Sequence, residues 1–86
     1  AALDVLAQAA RSEADSPGLW VYRALAYGKL GQIPQADLAT AEAAIRRGDA
    51  ELAAQKALAA SKGLKRGSPE WLRASDILNF TAKKRS

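Results

Sequence analysis

The stretch WVYRALAYGKLGQIPQADLATAEA (residues 20–43) holds two apolar patterns separated by a turn signal. In its first half Trp20, Ala24 and Tyr27 recur at helical spacing and share one face. In its second half Ile33, Ala36, Ala39, Thr40 and Ala43 form one stripe, while Leu38, Ala41 and Ile45 form another. Two stripes on one helix require neighbours on both sides, as in a stacked array of helices. Between the halves, Gly31 stands where a helix must end in the left-handed conformation that only glycine adopts without strain.

Outward from this stretch the same punctuation recurs. Gly31, Gly48 and Gly63 occupy expected C-terminal caps, and Ser16-Pro17, Asp49 and Ser68-Pro69 read as helix starts. The serine or aspartate side chain accepts from free amides of the first turn, and proline at the first helical position loses no hydrogen bond. Five helices are expected, over roughly 1–13, 17–30, 34–47, 49–62 and 69–82. The fourth is alanine at most inward positions, with Leu52 and Leu58 as its larger apolar residues. In the fifth, Trp71, Ala74 and Leu78 share a stripe beside Ile77, and Trp71 is expected to seal that helix onto the array. The basic run Lys83-Lys84-Arg85 is expected to be a frayed, solvated tail.

Composition agrees. Alanine supplies 21 of 86 residues against two valines and three isoleucines, which favours helices over strands. The expected fold class is all-α, one domain over residues 1–86. Only 21 larger apolar side chains are present, so a core depends on alanine letting helix axes approach closely. No histidine or cysteine is present, which excludes Ser-His-Asp and Cys-His nucleophile systems, His- or thiolate-ligated zinc and disulfides. Methionine is also absent, and we expect a piece of a longer chain, without catalytic activity or cofactor within these residues. No apolar run reaches the roughly 18–20 residues of a membrane span.

Residues 20–43 resemble a tetratricopeptide repeat (TPR). Trp20, Ala24, Tyr27, Gly31, Ala36 and Ala43 fall in that family's register, and repeated spacings of 17 residues (Gly31 to Gly48, Ala36 to Ala53) match half of a 34-residue unit. Arg23, Thr40 and Gly48 depart from it, standing where leucine, an aromatic and proline are usual. The resemblance implies a TPR-like antiparallel helix array, an α-α superhelix of about five helices, whose first helix in each pair lines a concave groove.

A second likeness lies in Ala26 to Gly31, Ala36 to Glu42, Arg47-Gly48-Asp49 and above all Leu64 to Ile77, with the block Gly67 to Ile77 most distinctive. These runs are similar to the C-terminal TPR tail of BepA-type periplasmic zinc metallopeptidases, which carry an HExxH catalytic domain upstream. The resemblance implies a periplasmic or envelope location, zinc in the parent chain only, and a parent protease domain and misfolded envelope proteins as partners. The competing reading is a free-standing, cytoplasmic TPR adaptor that binds peptides or assembles a complex.

Candidate groove residues are Val21, Leu25, Gly28 and Lys29 on one helix and Leu38, Glu42, Ile45 and Arg46 on the next. Tyr22, Lys29, Arg46 and Arg47 are the expected partner contacts, gripping carboxylates of a protein or peptide by charge-assisted hydrogen bonds. Trp20, Tyr27, Gly31, Ala36 and Trp71 are expected to hold the scaffold. Glu42 with Arg46, and Arg73 with Glu70 and Asp76, read as helix-surface pairs of about 0.2–0.5 kcal/mol each. The formal charge of +4 raises nucleic acid as a partner. The basic residues are dispersed and no recognition motif accompanies them, so nucleic-acid binding is not expected.

Overall fold

The computed structural model describes residues 17–85. They form α1 (Pro17–Lys29), α2 (Ile33–Arg47), α3 (Ala50–Gly63) and α4 (Pro69–Arg85), with no strand among them. The fold is all-α. Four helices stand in the described residues, and the expected helix over 1–13 lies outside them. Connections of two to five residues make consecutive helices antiparallel neighbours. Each helix packs on the next, α2 also touches α4, and α1 barely meets α3 or α4. Among the described residues no helix is long and apolar enough to cross a membrane.

Local chemistry explains the boundaries. At the end of α1 the Gln32 amide donates to the Tyr27 carbonyl (2.9 Å) and the Gly31 amide to Gly28 (3.1 Å), with Gly31 at φ 76°. The end of α2 repeats the arrangement: Asp49 donates to Ala44 (2.9 Å), Gly48 donates to Ile45 (3.1 Å), and Gly48 sits at φ 81°. Both are Schellman closures, which require glycine where φ is positive. The Asp49 carboxylate caps α3 by accepting from the Leu52 amide (3.1 Å), and the Ser68 hydroxyl caps α4 by accepting from Trp71 (3.2 Å).

Two sequence expectations are corrected. Gly63 is not a left-handed cap: α3 passes into extended Leu64 (φ −87°, ψ 152°), and Gly67, at φ 85°, makes the tight turn before α4. Gly63 answers a steric demand instead, since a Cβ there would stand 2.5 Å from Cγ of Pro34 at the start of α2. We expect Gly63→Ala to lose about 1–2 kcal/mol in urea denaturation despite alanine's better helix propensity, because overpacking forces the two helix ends apart. Gly28→Ala, where the added methyl meets open space, should instead gain about 0.5–1 kcal/mol. The reverse order of the two variants would refute this account. The backbone of Lys83 to Arg85, expected to fray, forms the last turn of α4.

The centre of the molecule is alanine. Ala41 and Ala44 of α2, Ala53 and Ala57 of α3, and Ala74 and Ile77 of α4 form one buried cluster, with Leu38, Ile45, Leu52 and Leu78 packed around it half-buried. Small side chains here allow three helices to meet closely, so dispersion contacts between backbones replace the bulk of larger residues. Thr81, also buried, satisfies its hydroxyl by donating to the Ile77 carbonyl (2.9 Å). Trp71 stays half-buried, with the Arg66 guanidinium 5.9 Å from its ring centroid. The inner seal of α4 is therefore made by Ala74 and Ile77.

Candidate functional site

A cavity of about 300 Å³ opens between α1, α2 and the first turns of α4. α1 contributes Trp20, Arg23 and Tyr27; α2 contributes Gln35, Leu38, Ala39 and Glu42; α4 contributes Pro69, Glu70 and Arg73. Trp20 and Tyr27 lie two turns apart on the α1 face that meets α2, and both are half-buried. Leu38 and Ala39 complete the apolar wall.

Beneath that wall sits a charge cluster. Glu42 retains 5% of its surface. Arg73 grips it from α4 with two hydrogen bonds, Nε to Oε2 at 2.8 Å and Nη2 to Oε1 at 2.6 Å. Arg46, one turn along α2, donates from Nη1 to Oε1 at 2.9 Å and to the Glu42 carbonyl at 3.1 Å. Burial pushes the Glu42 carboxyl upward, but hydrogen bonds from Arg73 and Arg46, with their charges, outweigh it and hold the group below its ordinary value. The hydrogen bond to Glu42 raises Arg73 in turn. Two guanidiniums lie over the Trp20 indole, Arg23 at 4.6 Å and Arg46 at 4.8 Å from its centroid, at cation–π distance.

This geometry corrects the surface-pair reading. The hydrogen bonds of the Arg73 guanidinium go to Glu42, 31 residues away, while Asp76 acts on it only through its charge, and the Glu42–Arg46 pair is the inner part of a tertiary cluster. The missed signal was the setting of Glu42: Ala39, Ala41, Ala43, Ala44 and Ile45 surround it along the helix. A carboxylate inside an apolar stripe needs a cationic partner once the stripe is buried.

The expected contact residues fall in different places. Arg46 belongs to the cluster behind the cavity wall, and Arg47 is exposed at the end of α2. Tyr22 and Lys29 line a separate depression of about 150 Å³ with Leu25 and Ala26, on the side of α1 turned away from α2. Of the expected groove residues, Leu38 and Glu42 reach the cavity between α1, α2 and α4; Ile45 lines another between α2 and α4, beside Ile77 and Phe80. Among the described residues no group of three or more acidic, His or Cys side chains is placed to hold a metal. No family model matches this chain, and no curated protein or solved structure matches it significantly.

Proposed function

We propose that the chain is a protein-interaction module, a TPR-like array that takes an extended, acidic and partly apolar peptide into the cavity between α1, α2 and α4. The observation that carries this reading is the make-up of the cavity, with an indole, a phenol and a leucine in its wall and the exposed Arg23 at its rim. Aromatic faces grip apolar side chains at small entropic cost, and guanidiniums pair with carboxylates in two-point geometry. The array reading is supported by helix starts at 17, 33, 50 and 69, near the 17-residue half-period, and by the matching closures at Gly31 and Gly48. The cavity departs from the expected groove, because α2 and α4 line it with α1 while α3 does not.

The resemblance to BepA-type tails supports a natural setting beside a zinc protease of the cell envelope. In that setting the array holds unfolded client chains near an active site supplied by another domain. Tethering raises a client's effective concentration there without new chemistry.

The test uses the two tryptophans as reporters. A 12-residue peptide rich in glutamate and phenylalanine should change the intrinsic fluorescence of the chain on titration, and its lysine-substituted counterpart should not. Arg23→Glu, at an exposed position, should weaken binding about five- to tenfold with unchanged helical circular dichroism. Charge reversal at Arg46 is a poorer probe, since it sets a second carboxylate against buried Glu42. Unaltered affinity in Arg23→Glu would remove the cavity from the binding site. Tighter binding of a single-stranded oligonucleotide, with a steep salt slope, would replace the peptide reading by a nucleic-acid one.

A further inference from the structure

The cavity between α2 and α4 measures about 380 Å³ and is lined by Ile45, Arg73, Asp76, Ile77 and Phe80. It shares Arg73 with the cavity between α1, α2 and α4, so the Arg73 side chain is the saddle between two openings on the α2–α4 seam. We infer that one extended peptide occupies both cavities, with two apolar side chains three residues apart and a carboxylate between them that lies on Arg73. This rests on the reading of the first cavity as a peptide site, and adds to it a second anchor, a spacing and a charge pattern.

The spacing follows from α2. Leu38, in the wall of the first cavity, and Ile45, in the wall of the second, are seven residues apart, a rise of about 10.5 Å. In polyproline II, three residues advance about 9.3 Å and bring the side chain back to the same face. A β-strand returns to that face after two residues, about 7 Å, or after four, about 13 Å. Anchors three apart in a polyproline II segment therefore fit best among extended ligands. The second anchor meets Ile77 and the ring of Phe80, which is 48% exposed, and covering that ring removes apolar surface from water.

The charge pattern follows from α4. Glu70, Arg73 and Asp76 succeed one another at three-residue intervals, a guanidinium between two carboxylates, and all three are exposed. Arg73 gives Nε and Nη2 to Glu42, and its Nη1 carries two further donors. With two guanidiniums around one carboxylate, the Arg46–Glu42–Arg73 cluster keeps one positive charge at the saddle. At the first cavity Arg23 of α1 offsets Glu70, whereas the lining of the second sets only Arg73 against Asp76. A ligand carboxylate is thus favoured between the anchors and disfavoured beyond the second one.

The test titrates the full 86-residue chain with 12-residue peptides on a serine–glycine background, followed by tryptophan fluorescence. The sequence phenylalanine-serine-glutamate-leucine should bind about tenfold tighter than the same residues with phenylalanine and leucine two or four apart. Phe80→Ala should weaken that peptide about five- to tenfold with unchanged helical circular dichroism, and should leave a peptide lacking the leucine unaffected. Moving the glutamate to the position after leucine should cost about fivefold, and Asp76→Asn should restore it. Equal affinity for all spacings, with no effect of Phe80→Ala, would overturn the inference and leave the single-cavity peptide reading standing. Tighter binding of a helical peptide with anchors seven apart would overturn the extended ligand. Binding of none of the peptides would overturn both readings.

Discussion

Glu42→Gln is expected to lower folding stability by about 2–4 kcal/mol, the first of the two largest effects the structure implies. The carboxylate accepts three side-chain hydrogen bonds, two from Arg73 and one from Arg46, and is almost wholly buried. Glutamine keeps one acceptor but turns an amide NH2 toward a guanidinium, leaving donor facing donor. Removing one member of a buried ion pair generally costs about 3–5 kcal/mol, because the partner's charge is left without compensation. The lower range applies here because the Arg73 side chain is 43% exposed and can turn to water, whereas Arg46, at 19%, has less access. At about 4–8 °C per kcal/mol for a domain of this size, the Tm should fall by about 8–30 °C.

The same residue sets a pH dependence. Its carboxyl lies below the ordinary value when folded, so its contribution is fully present above the unfolded-state pKa, about 4.3, and is lost as pH falls through the depressed folded value. Wild-type stability should therefore decline below about pH 4.5, and Glu42→Gln should lack that part of the acid limb. Equal urea midpoints at pH 7, or an acid limb identical in both proteins, would show that the cluster contributes nothing to folding.

Local chemistry carries the boundaries of the described helices. Both Schellman closures, the Asp49 and Ser68 caps and Pro69 act within a few residues of themselves, so three of the expected helices lie within one residue of the observed ends. α4 runs three residues further because neither glycine nor proline stops it. The site was less legible, and for a physical reason. Which side of α1 forms a cavity depends on where α4 begins, and that position is set by the contact of α4 with α2 and α3. Sequence spacing separates Trp20, Ala24 and Tyr27 from Tyr22, Leu25 and Lys29. It does not say which face the cavity occupies. Gly63 shows the same limit: its conformational freedom suggested a cap, but the contact with Pro34, 29 residues earlier, gives the reason a side chain is excluded.

Ile77→Ala is expected to cost about 3–4 kcal/mol, although the residue is one ordinary aliphatic side chain. At 1% exposure, it is the one large apolar side chain fully buried among the described residues, surrounded by Ala41, Ala44, Ala53, Ala57 and Ala74. Truncation removes three carbons, a transfer loss of about 0.8 kcal/mol each, and leaves a void whose size adds to the cost. In many cores neighbouring leucines swing into such a void. Alanine has no rotamer to change, so collapse here requires α2, α3 and α4 to move as bodies, and helices held by short connections and the Glu42–Arg73 bridge resist that. The contrast lies on the same helix: Leu72→Ala, at 51% exposure and with nearly equal helix propensity, should cost less than about 1 kcal/mol. Urea denaturation of both variants decides the matter. Equal losses would mean that the alanine-lined contact between α2, α3 and α4 is not the core, and that stability resides instead in the half-buried leucines around it.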